Sequence, residues 1–258
     1  MRAASAVFDA AAEGYDKGFS RTLIGSMMRE AVWARCAARF RPGSRVLEMN
    51  CGTGEDALWL AQSGMTVLAT DAAPQMLRIA RAKLDAAAVQ SVRLRQLAWE
   101  ELGALHEGPF DGMLSNFGGL NCIGDFRAAA RALSGKMRPG AVAILCIMGP
   151  HVPWEWLWFL AQGRPARAFR RLHRRGASWA GLTIRYPSIR QMTQAFAPEF
   201  QLMRSSALGA LLPPPYTGAV LGRLPHLVRG LNRLERHLET LWPLPQLADH
   251  YVLELRRT

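Results

Sequence analysis

The sequence predicts an α/β protein built on a parallel sheet, and two observations carry that reading. In the first half of the 258 residues, short β-branched or aliphatic runs alternate with helical patterns, as parallel strands joined by crossover helices require. One of those runs leads straight into a glycine-rich turn at the head of a helix, an arrangement that exposes bare backbone to a ligand. Half of the residues are hydrophobic and 20% are charged, too apolar for disorder and long enough for one large domain.

The elements follow in order. A helical cap is expected over residues 1–42, with its clearest helix at roughly Arg21–Arg39, and Pro42-Gly43 breaks the chain before the first strand. Strands are expected at Arg45–Met49, Thr66–Thr70, Ser91–Leu97, Phe110–Ser115 and Ala141–Met148, with helices near Glu55–Gln62, Pro74–Ala87 and Asp125–Leu133. After the fifth strand the rhythm changes. His151 to Gly181 reads as one or two helices, a helical insertion or lid over residues 151–182. A helix at Ser188–Phe196, a strand at Gln201–Ser206, a helix over Leu221–Thr240 and a terminal strand at His250–Arg256 complete one domain, 1–258.

Charge is uneven. Residues 1–150 hold 17 Lys and Arg against 14 Asp and Glu, whereas residues 151–258 hold 15 against 6, within a net charge of +12. Between Leu157 and Pro198 lie eight arginines and no acid, a patch that attracts phosphate, anionic lipid or nucleic acid. Preferred arginine usage explains Arg over Lys, since 29 of the 32 basic residues are Arg, but not the missing acids. Four dispersed cysteines, Cys36, Cys51, Cys122 and Cys146, form no CxxC pair; zinc fingers and disulfide frameworks are not expected, and a reducing compartment is. Asp9, Glu13 and Asp16 interrupt the N-terminus, against a signal peptide, and Pro150, His151, Pro153 and Glu155 break the most apolar run, against a spanning helix. A cytoplasmic protein is the expectation.

The strongest local signal is Arg45-Val-Leu-Glu48-Met-Asn50-Cys51-Gly52-Thr53-Gly54 running into a helix, with Asp71 closing the next strand seventeen residues past Gly54. An acid at that point can accept both hydroxyls of a ribose, so the pair points to a nucleoside-containing cofactor. A bare glycine turn beside a helix-capping Asp is the structural alternative. Gly52-Thr-Gly54-Glu-Asp-Ala57 also satisfies the dinucleotide pattern, which alone is weak.

Through Val46-Leu-Glu48, Cys51-Gly-Thr-Gly54, Val67 to Asp71 and on to Met76, Phe110 to Phe117, and Met137-Arg-Pro-Gly140, the chain resembles the class I S-adenosylmethionine-dependent methyltransferases, in particular the small-molecule, quinone-biosynthesis-like branch. The likeness covers about residues 5–150 well and the rest loosely. It implies a Rossmann-like doubly wound sheet of strand order 3-2-1-4-5-7-6 with an antiparallel last strand, and S-adenosylmethionine as cofactor. It also implies that Glu48 and the Gly52 and Gly54 backbone hold the methionine end, that Asp71 binds the ribose, and that Ala72 and Met76 flank the adenine. Trp99 would pack on the adenine's other side, Asn116 would line the sulfonium end, and Tyr15 would close the pocket. Two positions depart from the family pattern. Its first glycine is Asn50 here, a residue that tolerates left-handed backbone, and the acid that usually recognises the adenine amino group is Ala98.

Methyl transfer needs a base only when the acceptor is a hydroxyl, a thiol or a charged amine. His151, just after the fifth strand, and Tyr216, in Leu212-Pro-Pro-Pro-Tyr216, are the candidates, with Tyr15 beside them; a loop histidine and a core tyrosine are the plain alternatives. His106, His173, His226, His237 and His250 read as surface or helix residues. Pro213-Pro-Pro-Tyr216 resembles the motif of nucleic-acid amino-methyltransferases but stands after the sixth strand, so it reads as a rigid loop, and no acidic cluster suggests a metal. Trp154, Trp156 and Trp158 directly before the arginines suit a lid over an apolar acceptor or, through residues 154–175, peripheral contact with the inner face of a membrane; they suit equally well simple packing of the insertion on the sheet. A small-molecule acceptor is expected and nucleic acid is not. Two other readings remain: a nicotinamide-linked oxidoreductase, and a non-catalytic protein of the same fold that binds RNA or anionic membrane through its arginines.

Overall fold

The computed structural model describes residues 2–214 and 224–258. Its main sheet holds seven strands: β1 (Arg45–Met49), β2 (Thr66–Asp71), β3 (Val92–Gln96), β4 (Phe110–Ser115), β5 (Met137–Met148), β8 (Phe200–Leu208) and β9 (His250–Arg257). Their order is β3-β2-β1-β4-β5-β9-β8. The first five run parallel, and β9 lies antiparallel between β5 and β8. With the seven strands numbered among themselves, this is the order 3-2-1-4-5-7-6 that the family likeness implies. The Rossmann-like, doubly wound architecture follows.

Alternation along the strands sends side chains to two cores. Leu47, Met49, Tyr251, Leu253 and Leu255 join one core with α5 (Phe126–Ser134) and α8 (Ile189–Phe196). Val46, Leu114, Ile144 and Val252 join the other with α2 (Leu23–Arg39), α3 (Glu55–Gln62) and Leu84 of α4 (Pro74–Ala86). A sheet buried on both faces is what purely apolar strands such as Val67–Ala69 require. α2 begins at Thr22, whose hydroxyl accepts the Gly25 N–H at 3.0 Å. α5 begins at Asp125, whose carboxylate accepts the Ala128 N–H at 2.9 Å. Such caps satisfy donors that the first helical turn leaves open.

Ahead of α2, the cap consists of α1 (Arg2–Tyr15) and a π-helical turn at Asp16–Ser20. Asp16 accepts from Thr53 Oγ1 at 2.6 Å and from Lys83 Nζ at 2.9 Å, fastening the cap to the glycine turn and to α4. Strand β5 starts earlier than expected. Met137 pairs with Phe110, and a register shift around Pro139-Gly140 precedes the regular ladder from Val142.

The insertion is helical only in part. α6 (Pro153–Ala161), the short α7 (Pro165–Ala168) and a 3₁₀ turn at Arg170–Leu172 match the expectation. A hairpin of β6 (Ala177–Trp179) and β7 (Leu182–Ile184) replaces helix beyond them. Ala180 and Gly181 between these strands have φ of +47° and +84°, the left-handed pair that a tight hairpin turn demands. The last long helix is Pro225–Leu238.

Candidate functional site

The glycine turn is built by backbone geometry. Asn50, Gly52 and Gly54 have φ of +59°, +54° and +79°. At Gly54, which opens α3, a Cβ would stand 2.8 Å from Ala80 Cβ, so the side chain's absence lets α3 approach α4. At Gly52 nothing lies within 4 Å of a Cβ position, leaving the turn open toward the cleft. Asp71, at the tip of β2, accepts the Gly52 N–H at 2.9 Å on one oxygen and the Ala73 N–H at 2.9 Å on the other. It thus ties the turn to the head of α4. Burial pushes its carboxyl up, and the N–H groups of Ala73, Gly52 and Ala72 oppose that rise. Each oxygen keeps a lone pair for a further donor.

Above this backbone lies a cleft of about 830 Å³, open to solvent. Tyr15, Asn50, Gly52, Asp71, Ala72, Met76, Ala98, Trp99 and Asn116 all line it, so one site gathers nine of the residues expected there. Gly54 stands behind the turn, outside the lining, where it fits α3 against α4. Glu48 is buried beside the turn, and its Oε2 has no hydrogen-bond partner among the described residues. Burial, with Asp56 and Asp71 nearby, pushes its carboxyl well up, against a smaller pull from Arg29.

Both departures from the family pattern have a structural counterpart. Asn50 adopts the left-handed conformation, and its Oδ1 accepts the Trp99 indole N–H at 2.6 Å. The amide that fills the first glycine's place is therefore held by the side chain across the cleft. Ala98 contributes its N–H to Glu101 Oε2 at 2.9 Å, which closes the 3₁₀ turn Trp99–Ala104.

The catalytic candidates are dispersed. Tyr15 lines the cleft, but burial pushes its phenol up to about 12, which keeps it protonated at neutral pH. His151 is exposed, with its ring against Trp156, and does not line the cleft. Tyr216 lies outside the described residues. His250 is not the surface or helix residue expected; it opens β9, is buried, and packs its ring edge-on against Phe117 of the cleft wall at 5.7 Å.

A buried polar network escaped sequence reasoning altogether. Asp56 accepts from Arg29 Nη1 at 2.5 Å, from Trp33 Nε1 at 2.6 Å and from Asn116 Nδ2 at 3.0 Å. Burial works against the Arg29 cation, and Asp56 more than restores it. Arg29, Asp56 and Asn116 border a smaller pocket of about 250 Å³ beside the turn. The nearest signal was an acid in the first turn of α3, with no motif linking it to an arginine 27 residues earlier.

The arginine-rich insertion is not uniformly solvated. Arg170 and Arg171 pair with the buried Glu155, and Arg185 donates to the Ile123 carbonyl at 3.0 Å in the cleft wall. Trp154, Trp156 and Trp158 are half-buried, whereas Leu157 is 66% exposed.

Residues 46–140 match a family model described as a methyltransferase domain. The chain is 30% identical to a demethylmenaquinone methyltransferase of Mycobacterium marinum over 149 residues, 56% of this chain and 59% of that protein. It is 34% identical to a ubiquinone biosynthesis O-methyltransferase of Xanthomonas campestris over 104 residues, 40% of this chain and 43% of that one. The chain thus matches about half the length of these curated relatives. In structure it is similar to an S-adenosylmethionine-dependent methyltransferase of Mesorhizobium loti (TM-score 0.58, 18% identity, 91% of this chain and 100% of that one). It is also similar to the geranyl diphosphate C-methyltransferase of Streptomyces coelicolor, solved with S-adenosyl-L-homocysteine (TM-score 0.60, 11% identity, 91% and 79%). These likenesses lend nothing to the nicotinamide-linked alternative. Sequence and fold converge on one likeness: residues 46–140 match a methyltransferase domain, and the chain shares the fold of S-adenosylmethionine-dependent methyltransferases.

Proposed function

We propose that this protein transfers a methyl group from S-adenosylmethionine to a small apolar or amphipathic acceptor. The observation that carries the reading is the chemistry of the cleft floor: an open left-handed turn at Gly52, the Asp71 carboxylate beside it, and a buried Glu48 oxygen without a partner among the described residues. A carboxylate in that state suits a cationic amino group, and Arg29 at the adjacent pocket suits a carboxylate, so the residues fit the two ends of the methionine moiety. Asp71 would take the ribose hydroxyls on its remaining lone pairs, with Ala72, Met76 and Trp99 against the adenine and Asn116 toward the sulfonium. The cofactor, when bound, supplies an activated methyl group. The chain's part is to align the acceptor and exclude water. Tyr15, kept protonated, serves as a donor and a cover rather than as a base.

The cleft wall supports an apolar acceptor. Phe117 lies against Phe19 at 4.6 Å, and Phe8 of α1 meets Trp179 of the insertion hairpin at 5.8 Å, so cap and insertion close on the same mouth. Demethylmenaquinone and ubiquinone-pathway methyltransferases are among the relatives, and a quinone-like acceptor fits this wall.

The outer face of the insertion favours peripheral membrane contact. Leu157, Leu160, Phe169 and Leu172 are exposed among the exposed Arg164, Arg167, Arg174 and Arg175, a pattern suited to an anionic bilayer surface. No helix among the described residues is long and apolar enough to cross a membrane. Sedimentation with phosphatidylglycerol vesicles, lost when those four arginines become Glu, is the expected result; equal sedimentation of both proteins discards this role.

Isothermal titration calorimetry tests the central reading. Micromolar or tighter binding of S-adenosylhomocysteine is expected, with no heat from NAD. Binding of NAD in its place overturns it.

A further inference from the structure

A second buried polar chain runs from the insertion to the sheet edge, apart from the cofactor cleft. Glu155 of α6 pairs with Arg171 Nε at 2.7 Å, and Arg171 Nη2 reaches Asp249 Oδ1 at 2.6 Å. Arg171 also donates to the carbonyls of Gly149 at 3.3 Å and Asp249 at 3.1 Å. The other Asp249 oxygen lies 3.0 Å from His250 Nδ1. Burial by itself would push the Asp249 carboxyl up, but Arg171 and His250 hold it well below the usual carboxylate range. An ionised carboxylate only accepts, so Nδ1 carries a proton, and a ring in that tautomer presents a lone pair at Nε2. Among the described residues the ring's one hydrogen bond is the Nδ1 contact to Asp249.

Position places this arrangement beside the cleft, behind its wall. His250 opens β9 opposite Met148 of β5 and Leu208 of β8, at the edge where the parallel strands end. Ligands of doubly wound sheets sit outside that edge. Its ring packs against Phe117, which lines the cleft next to Asn116, so His250 stands one ring behind the lining. The charged groups around it are Asp249, Arg171 and Glu155 on one side and, across the Phe117 ring at 4.8 Å, Arg29.

We propose that His250 is the general base for an acceptor bearing a phenolic or enolic hydroxyl, seated against Phe117, with Asp249 and Arg171 as its positioning residues. This rests on the methyl-transfer reading and deepens it. The acceptor O–H gives its proton to Nε2 as the oxygen bonds to the methyl carbon; the carbon–sulfur bond breaks, its electron pair stays on the sulfur, and the imidazolium later releases the proton to solvent. A carboxylate that fixes the tautomer and supports the transient imidazolium is the arrangement such a base needs. Arg171 and Glu155 belong to the insertion, so the base is oriented only while the insertion is folded onto the sheet.

The probe is 4-nitrocatechol, whose ionised form absorbs at longer wavelength, added to the full-length protein saturated with S-adenosylhomocysteine. The wild type should shift the ionisation midpoint of the bound probe down by about one pH unit or more, a tenfold change or greater. His250→Gln should abolish the shift while S-adenosylhomocysteine affinity stays within about twofold, and Asp249→Asn should reduce it. An unshifted midpoint in the wild type, or a shift that survives in His250→Gln, overturns the base assignment. Imidazole nitrogen NMR of the wild type gives a test that no variant can spoil: a neutral His250 ring protonated at Nε2 overturns it as well. Failure of S-adenosylhomocysteine to bind the wild type removes the methyl-transfer reading itself, a result distinct from all of these.

Discussion

The cofactor cleft and the seat of the insertion behind it are made in different ways. The cofactor wall is backbone: a turn of left-handed residues, a helix head, and one acid that accepts the Gly52 and Ala73 N–H groups, all within residues 48–76. The seat of the insertion is side chain: Arg171 and Asp249 meet across 78 residues. Backbone sites persist under substitution of most residue types that tolerate the dihedral angles, whereas a buried ion pair depends on both partners being present. The cofactor side should therefore respond to mutation mainly in binding, and the insertion side mainly in stability.

The largest effect that tests this contrast is expected for Arg171→Met. It leaves Asp249 buried without the Arg171 guanidinium, while Glu155 keeps Arg170, and it should cost about 3 kcal/mol or more in urea unfolding; a loss under about 1 kcal/mol would show that the insertion does not lean on this ion pair. The pH dependence has a definite sign. Asp249 has a depressed folded value, so its contribution is present at neutral pH and is lost as pH falls below about 4. In the Arg171→Met protein that acid-side slope should flatten.

Next comes Asp71→Ala. Each hydrogen bond to a charged group is worth about 1.5–3 kcal/mol, so losing two ribose contacts should weaken S-adenosylhomocysteine binding by at least about 100-fold in calorimetry. Unchanged affinity would remove the ribose assignment. Glu48→Gln sharpens the contrast because it should act in opposite directions on folding and on binding. The folded Glu48 value is raised, so its contribution is present below the ordinary carboxyl range and is lost as pH rises past about 4.3. The glutamine variant should accordingly gain about 1 kcal/mol or more at pH 8 over wild type in chemical unfolding, with little gain at pH 4, while cofactor affinity falls. A gain independent of pH would contradict the burial of an ionisable group there. The smallest effect belongs to Ala98→Asp. Restoring an acid at the head of the 3₁₀ turn should tighten adenosine-end binding by about tenfold, and a neutral result would assign adenine recognition to backbone and Trp99.

Strand and helix bounds were legible where apolar alternation and glycine or proline punctuation coincide; Arg45–Met49, Glu55–Gln62 and Phe110–Ser115 match the structure residue for residue. The hairpin at Ala177–Ile184 was hidden, because three-residue strands carry no period and the insertion's tryptophans and arginines suit a helix equally well. Nine cleft residues could be read from a contiguous pattern and a family likeness. His250 could not, since His-Tyr-Val-Leu-Glu-Leu reads only as a terminal strand. His151 looked better placed in the chain than it is in space.

By itself the sequence determined the sheet, the left-handed turn at residues 50–54 and the acid after β2, because periodicity, dihedral preference and capping act over a few residues. Tertiary structure alone decided that Arg29 meets Asp56, that Arg171 and Asp249 steady His250, and that Trp99 reaches Asn50. Those contacts join residues far apart in the chain, and only the closing of the sheet and the seating of the insertion brings their charges within hydrogen-bond range.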